Sequence, residues 1–340
     1  MKKILFSVLA MAAFAACSNE EQIAAPQGEA IAFGNAFVDN SVRAVTATDP
    51  SYTTASLDHF DVYGAVNGVN IFDGDKVTGS VGSGAAWTFT DTTTPTQYWI
   101  PGANYTFHAV VDANGGVKVD NAGLPLYLKY TADGETDMLH NIVKTTGKPD
   151  TNNGLVAFGF THLLSKVKFT VENTTAEEAT DYQYVISDIK ITNAYASGNY
   201  AVVTKTIDEL NLTANTWFDL VGNGTHTIAD LTVASAKTEV GAKEVLLIPG
   251  ANVGVSFTVD IQMNNGSEWV SIPMDNPQKT IADVVTLEAN KAYNFKVTLG
   301  LGDPIQFTAT ALESWENGNT EDTSDPADDE NDIVPVFPAN

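Results

Sequence analysis

Residues 30–44 read AIAFGNAFVDNSVRA, an apolar run that ends at Arg43, the only arginine in the chain. Successive side chains of an extended strand point to opposite faces. The alternation predicts one face with Ile31, Phe33 and Phe37, and another with Ala32, Gly34, Ala36 and Val38. A lone arginine just after a first strand indicates that a protease can remove this strand, residues 30–43. The simpler interpretation is a surface arginine in a loop.

The residues that follow the arginine favour access by a protease. Residues 44–54 are polar and rich in threonine, and they show no apolar periodicity. Proteolytic cuts concentrate in exposed segments with small and polar side chains. The sequence therefore predicts an accessible loop around the bond between Arg43 and Ala44.

The first residues indicate export. Lys2 and Lys3 precede an apolar run, residues 4–14, that is too short to span a membrane as a mature helix. Small residues then lead to Cys17, the only cysteine, so no disulfide can form within the chain. The pattern predicts a lipoprotein signal peptide over residues 1–16 and lipid attachment, with palmitate, at Cys17. The alternative is a free or buried thiol.

The charge of the chain limits its partners. The 340 residues carry a net charge of −25, which becomes −27 when the signal peptide leaves with its two lysines. Such a surface repels nucleic acids and anionic membranes. No later apolar run has the length of a membrane-spanning helix. We therefore expect no nucleic-acid partner, and we expect residues 17–29 to be a lipidated tether.

Composition and periodicity predict the all-β fold class. The chain is rich in threonine, valine, alanine, glycine and asparagine, and short alternating segments recur between turn residues. Its length is sufficient for two domains. We expect two β-sandwich domains in tandem, over residues 30–161 and 162–318. Residues 133–153 are predicted to be a loop region with one helical turn around residues 138–143.

The C-terminus combines an acidic tether with an apolar end. Residues 319–340 are predicted to be a flexible tail, because acidic and small polar residues predominate. The tail nevertheless carries large apolar residues at its end, namely Ile333, Val334, Val336 and Phe337. One interpretation is an incidental apolar terminus. The other is a segment that docks into a groove on another molecule.

No pattern of residues indicates catalysis or metal binding. The five histidines are scattered and form neither an HExxH motif nor a close cluster with carboxylates. No two carboxylates stand out as an acid and base pair. The tryptophans could stack on sugars, although core packing is the commoner use of such residues in a β-sandwich. We therefore expect no enzymatic activity, no cofactor and no metal.

Taken in order, several motifs resemble the fimbrillins, the pilus subunits of Bacteroidota. The acidic pair after Cys17 is similar to the surface-export signal of lipoproteins from the same bacteria. The motifs that carry the resemblance are Ile31–Phe33 followed by Arg43 and Ala44, Tyr98–Trp99 with Tyr105–Ala109, Phe160–Val167, Leu247–Pro249, Asn290–Phe295 and Ile305–Trp315. They span nearly the whole chain up to residue 315.

The resemblance implies a fold and a mechanism. The fold would be two Greek-key, transthyretin-like sandwiches. The precursor would be a lipoprotein of the cell outer membrane, and an arginine-specific protease would cut between Arg43 and Ala44. The strand with Ile31, Phe33 and Phe37 would then leave an apolar groove. A C-terminal segment of another subunit would fill that groove, which is donor-strand exchange. The product would be an extracellular fimbrium that supports adhesion.

Two questions stay open at the level of the sequence. The donor is expected at Ile333–Phe337, but residues 305–311 are an alternative because the resemblance ends near Trp315. The function also has a rival, a monomeric outer-membrane surface lipoprotein that binds a glycan or a host protein. That rival predicts no processing at Arg43 and a dispensable tail.

Overall fold

The computed structural model describes residues 28–34, 36–38, 56–80, 87–174, 181–207, 209–222, 224–233, 238–241, 244–300 and 305–312. Within these ranges the chain forms β-strands, turns and one short 3₁₀ segment (Asn152–Gly154), and it contains no α-helix. The prediction of an all-β protein is confirmed.

Strands cover most of the described chain. The first twelve are β1 (Phe37–Val38), β2 (His59–Val66), β3 (Val69–Thr78), β4 (Thr88–Phe89), β5 (Asn104–Val111), β6 (Gly116–Val119), β7 (Pro125–Thr131), β8 (Leu139–Thr146), β9 (Gly159–His162), β10 (Ser165–Asn173), β11 (Tyr182–Ala194) and β12 (Ser197–Ala201). The next twelve are β13 (Lys205–Ile207), β14 (Leu210–Leu212), β15 (Thr216–Val221), β16 (Gly224–Thr227), β17 (Leu231–Val233), β18 (Thr238–Gly241), β19 (Val245–Leu247), β20 (Asn252–Asn264), β21 (Trp269–Ile272), β22 (Gln278–Thr286), β23 (Ala292–Leu299) and β24 (Gln306–Leu312).

Residues up to His162 build a seven-stranded sheet with the order β1-β9-β8-β5-β2-β3-β4. Its central strand β5 reads NYTFHAVV, and alternate residues from Tyr105 to Val111 enter one apolar core. Val110, which points the other way, enters a second core with Leu128 and Tyr130 of β7. The sheet therefore buries apolar side chains on both faces, and this explains the nearly continuous apolar run in β5.

A four-stranded sheet joins the two halves of the sequence. Its order is β15-β12-β7-β6, and β12 pairs with β7 from Ser197–Thr131 to Ala201–Tyr127. Two of its strands precede the expected domain boundary at residues 161 and 162, and two follow it. The boundary stays a prediction, and backbone hydrogen bonds connect its two sides.

The second half of the chain forms two facing sheets. In one sheet, β10 pairs in parallel with β23 and antiparallel with β18 and β19, and β24 pairs with β23. In the other, β11 and β20 pair along most of their length and are flanked by β16, β17, β21 and β22. Val167, Phe169 and Val171 of β10 pack with Val255 and Phe257 of β20 in one shared core. This arrangement is a β-sandwich.

One local prediction was wrong. Residues 133–153 were predicted to be a loop region with a helical turn at residues 138–143, but strand β8 covers Leu139–Thr146 and pairs with β5 over its whole length. β8 carries Ile142, Val143 and two threonines, and such β-branched side chains favour a strand. Periodicity alone cannot separate a short buried strand from a helical turn.

Candidate functional site

Residues 28–34 and 36–38, called here the N-terminal segment, lie in a groove and form backbone hydrogen bonds along both edges. Along the first edge, the Trp99 N–H donates to the Glu29 carbonyl over 2.9 Å. The Ile31 N–H donates to the Gln97 carbonyl on the same edge over 2.8 Å. The segment therefore lies beside residues 97–99 as an added strand.

The second edge of the segment pairs with Val156. The Val156 N–H donates to the Ala32 carbonyl over 2.9 Å, and the Gly34 N–H donates to the Val156 carbonyl over 3.0 Å. On the first edge, the Trp87 N–H donates to the Phe33 carbonyl over 2.9 Å. Removal of the segment would leave N–H groups of residues 87, 99 and 156 without these acceptors. Buried backbone groups without partners are costly, so an emptied groove favours a replacement strand.

Phe33 is the centre of an aromatic cluster. Its ring is 1% exposed, and the centroids of five other phenyl rings lie between 5.6 and 6.3 Å from its own. These rings belong to Phe60, Phe72, Phe89, Phe107 and Phe158. Most of the pairs have edge-to-face geometry, which the quadrupoles of aromatic rings favour.

The buried positions of the segment change phase between Phe33 and Ala36. Ile31 and Phe33 are buried, but so are Ala36 and Val38, which the alternation had assigned to the opposite face. That part of the prediction was wrong. The change accompanies a change of neighbour, because the segment leaves Val156 and continues as β1 in parallel with β9. A single period of two cannot continue through such a junction.

Gly34 lies at this junction and faces Leu155. A Cβ atom added at Gly34 would lie 2.5 Å from Leu155 Cδ1, so the close approach depends on the absent side chain. The backbone of Phe37 pairs with Gly159, whereas the side chain of Phe37 lies outside the described part of the chain.

The structure locates the other predicted site residues only in part. Cys17, Arg43, Ala44 and the expected donor residues Ile333, Val334, Val336 and Phe337 lie outside the described residues. The alternative donor, residues 305–311, lies largely in β24. There Phe307 and Ala309 are buried opposite Val297 and Phe295 of β23.

The five histidines lie in strands. Two of their side-chain contacts, one with another histidine and one with an aspartate, were not indicated by any pattern in the sequence. His108 Nδ1 and His140 Nε2 are 3.2 Å apart, and burial lowers the pKa of His108 to about 4, with a further contribution from the charge of Lys144. His162 Nδ1 lies 2.8 Å from an oxygen of the buried Asp137 carboxyl group. The first contact connects β5 and β8, and the second connects β9 with the loop that precedes β8.

The aromatic pocket around Phe33 was also missed by reasoning from the sequence. Phe60, Phe89 and Phe107 were recognisable only as residues of separate strands, because their convergence depends on long-range pairing of β2, β4 and β5. In the described residues no three histidine, cysteine, aspartate or glutamate side chains are placed to hold a metal ion. Within those same ranges, no helix has the length and hydropathy that a membrane span requires.

Comparison with protein families identifies the chain. A family model described as fimbrillin-like matches residues 43–315. The chain therefore belongs to the fimbrillin-like family. It is a structural pilus protein rather than an enzyme. It is located in a fimbrium at the cell surface, and its partners are other fimbrial subunits. The match begins at Arg43, so it does not include the N-terminal segment.

Several solved structures are similar to this chain, and the first of the following has the same fold. A fimbrial protein from Bacteroides vulgatus ATCC 8482 has a TM-score of 0.52 at 14% identity and covers 84% of this chain and 99% of its own. A cell adhesion candidate from Bacteroides uniformis ATCC 8492 has a TM-score of 0.49 at 18% identity, covering 85% and 99%. The fimbrial anchor protein Mfa2 from Porphyromonas gingivalis has a TM-score of 0.38 at 10% identity, covering 85% and 97%. No curated protein matches the sequence.

Proposed function

We propose that this chain is the precursor of a fimbrial subunit that polymerises by donor-strand exchange. An arginine-specific protease cuts between Arg43 and Ala44, the N-terminal segment leaves with the lipid on Cys17, and a strand from another subunit takes its place. The observation that carries this proposal is the position of Phe33. This side chain is the centre of the aromatic cluster, yet it belongs to a short segment near the start of the chain.

The size of the buried surface supports a groove that must be filled. Ile31, Phe33 and Val38 are each at most 5% exposed. Burial of three such side chains stabilises the fold by about 5–9 kcal/mol. A domain has a total stability of roughly 5–15 kcal/mol. A subunit that has lost its segment therefore needs a substitute strand to retain most of its stability.

Cleavage at Arg43 changes the competition for the groove. Before the cut, the segment is covalently attached and has a high effective concentration at the groove. Arg43 follows Val38, the last described residue of the segment, by five positions. After the cut, the segment is held only by noncovalent contacts, so a strand from a second subunit can replace it. Because the contact is head-to-tail, it extends to a filament rather than closing as a dimer.

We propose that the donor comes from the C-terminal part of a second copy. The hydrogen bonds of the groove help to distinguish the two candidates, the tail and residues 305–311. When Phe337 is placed at the position of Phe33 in the same chain direction, Pro335 and Pro338 fall at positions 31 and 34. The N–H groups of Ile31 and Gly34 both donate to the groove, and proline has no N–H to replace them.

The alternative donor fits the groove in a different way. Ile305 and Phe307 have the same spacing as Ile31 and Phe33, and the residues from 305 to 312 include no proline. However, Phe307 is 1% exposed in the core of its own sandwich, so β24 would first have to leave β23. The tail is predicted from its composition to be flexible, so its use as the donor would not require β24 to leave β23. Each candidate donor therefore has one physical argument in its favour.

The substitution Arg43→Ala tests the proposed maturation in cells. No other arginine is present, so the variant should remain a full-length precursor that carries lipid and forms no polymer. The readout is the ladder of SDS-resistant oligomers together with incorporation of labelled palmitate. Arg43→Lys is the matched control, because it keeps the positive charge but is not a substrate for an arginine-specific protease. Ladders of normal length from either variant would contradict the proposal.

A further inference from the structure

Large apolar side chains that remain exposed are concentrated at two places. Seven described residues of this kind are at least 40% exposed. Six of them fall into two groups: Val69, Tyr98 and Ile100 in the first, and Met263, Trp269 and Val270 in the second. The seventh, Val221, lies on β15. Single exposed apolar residues are ordinary, but groups of them mark interaction sites.

The first group, called here the N-end patch, lies where β2 turns into β3. Val66 of β2 pairs with Val69 on one side and with Tyr105 on the other, which places Val69 at the end of the sheet where β5 begins. The Ile100 N–H donates to the Tyr105 hydroxyl oxygen over 2.7 Å, so residues 98–100 pass the same end of the sheet. At the opposite end of this sheet, β9 ends at His162, and the chain continues into β10 of the sandwich that the second half forms. The patch is therefore remote from the connection between the halves.

The second group, called here the C-end patch, lies on the hairpin of β20 and β21. Met263 pairs with Val270 on one face of the hairpin, and Trp269, which pairs with Asn264, lies on the opposite face. Along β20 the core-facing positions pass from the buried Val259 to the half-buried Ile261 and then to the exposed Met263. The apolar inner face of the sheet thus continues beyond the core that covers it.

The C-end patch is also remote from the connection between the halves. Met263 pairs with Tyr182 at the start of β11, whereas β11 ends at Ala194. Just after that end, the Ala132 N–H of the first half donates to the Ala196 carbonyl over 2.9 Å. The two patches therefore lie at the two ends of the chain of sheets.

We propose that the N-end patch of one copy docks on the C-end patch of the next copy. The occupant of each patch is thus a second copy of this chain, and the role of the contact in a pilus rests on the proposed function. Two unlike apolar patches at opposite ends give a heterologous contact that repeats without closing. Their six residues are uncharged, whereas the chain as a whole carries −25 and its copies repel each other elsewhere.

The backbone of Tyr98 connects this contact to the groove. Tyr98 forms a β-bridge with Ala30 of the N-terminal segment, while its side chain is 52% exposed. The N-end patch therefore adjoins the place where a donor strand would enter. Docking of the next copy at this patch would bring its chain close to the groove before exchange begins.

The test uses the uncleaved chain without residues 1–16 and with Cys17→Ser. In this protein the groove is filled, so donor-strand exchange cannot contribute to association. Sedimentation velocity over a range of concentrations should show a weak, open series of oligomers. Ile100→Asp and Val270→Asp should each weaken this association by about tenfold or more, which corresponds to about 1.4 kcal/mol. Val221→Asp is the matched control and should leave it unchanged.

Mixing the two single variants gives the sharper result. The Ile100→Asp chain keeps an intact C-end patch, and the Val270→Asp chain keeps an intact N-end patch. An equimolar mixture should therefore form dimers and no longer species. Thermal unfolding of each variant checks that the fold is retained, and cysteines placed at positions 100 and 270 in separate chains should give a disulfide only between unlike chains.

Several outcomes would overturn the inference. One is a wild-type chain that stays monomeric at about 1 mM, a concentration sufficient for contacts of about −4 kcal/mol. The others are an equal effect of Val221→Asp and a mixture that does not dimerise. None of these results depends on cleavage at Arg43. Failure of the proposed function would instead appear as a cleaved chain that does not exchange strands, with or without end-to-end association.

Discussion

Phe33 connects the stability of the precursor with the proposed release of its first strand. The ring is in contact distance of five other phenyl rings, and the backbone on either side of it is paired along both edges. Removal of the segment would therefore break these interactions and leave a groove that a donor strand would fill. A removable strand must be bound strongly enough to cap the fold and must be separable by one cut.

The substitution Phe33→Ala should destabilise the uncleaved chain by about 3–5 kcal/mol, because it removes a buried ring and leaves a cavity in the aromatic cluster. Urea unfolding measures this loss. Ile100→Ala is the control in the same region, and with 54% exposure it should change stability by about 0.5 kcal/mol or less. A loss below about 1 kcal/mol for Phe33→Ala would contradict the central place of the ring.

The stability of the polymer gives a second measurement on the Phe33→Ala variant. Phe33 lies before Arg43, so the proposed cut removes it from the mature subunit. Polymers made from the Phe33→Ala precursor should therefore resist denaturation as well as wild-type polymers do. Reduced resistance would mean that residue 33 stays in the mature subunit.

The buried histidine pair predicts a dependence of stability on pH. Burial lowers the pKa values of His108, to about 4, and of His140 below their ordinary value of about 6.5. A histidine with a lower pKa in the folded state binds its proton more readily after unfolding. Its contribution to stability is therefore complete above pH 6.5 and decreases as the pH falls toward the folded-state pKa.

Between pH 7 and pH 5.5, the free energy of unfolding should decrease by about 2–3 kcal/mol when both histidines contribute. His140→Gln should remove a large share of this dependence. His59→Gln is the contrasting control, because hydrogen bonding to Asp112 raises the pKa of His59 and gives that residue the opposite sign. An unfolding free energy that stays constant from pH 7 to 5.5 would exclude the proposed effect.

For single strands, the alternation of apolar and polar residues predicted well where a strand occurs. It predicted poorly which face each residue occupies and which strand is its neighbour. β5 and β10 could be predicted because apolar residues alternate along one face, from Tyr105 to Val111 in β5 and from Val167 to Val171 in β10. β8 could not, since its short mixed run fits a strand or a turn equally well. The phase change between Phe33 and Ala36 was also unpredictable, because it arises from the transfer of the segment between two neighbours.

The two candidate donors can be distinguished by a disulfide with the groove. Tyr98 lies opposite Ala30, and its half-exposed side chain can be replaced by cysteine without loss of core packing. In the same direction and register, position 30 corresponds to residue 304 when Phe307 takes the place of Phe33. It corresponds to residue 334 when Phe337 does.

In a background with Cys17→Ser, we would pair Tyr98→Cys with either Pro304→Cys or Val334→Cys and let cleaved subunits polymerise. The pair that matches the true donor should form intermolecular disulfides, because directly opposed residues of antiparallel strands have suitable Cα distances. The other pair is the control. Equal yields from both pairs, or from uncleaved protein, would contradict a defined donor register.

At the scale of the whole molecule, sequence reasoning reached the class and the family but not the arrangement of the sheets. Short alternating strands and turn residues were sufficient for an all-β prediction, and the ordered motifs led to the fimbrillin-like family, which is confirmed. The sheet that joins β7 and β12 has no counterpart in any local pattern. Such pairings are set by packing between distant segments, and periodicity carries no information about them.

Limited digestion of the purified chain by an arginine-specific protease tests the central claim most directly. The protein would be expressed without residues 1–16, and the products would be analysed by mass spectrometry and by sizing under native conditions. We expect a single cut after Arg43, release of the N-terminal segment, and SDS-resistant oligomers that grow with time. A chain that is cut at Arg43 but retains the segment and stays monomeric, or one that resists cleavage there, would contradict it.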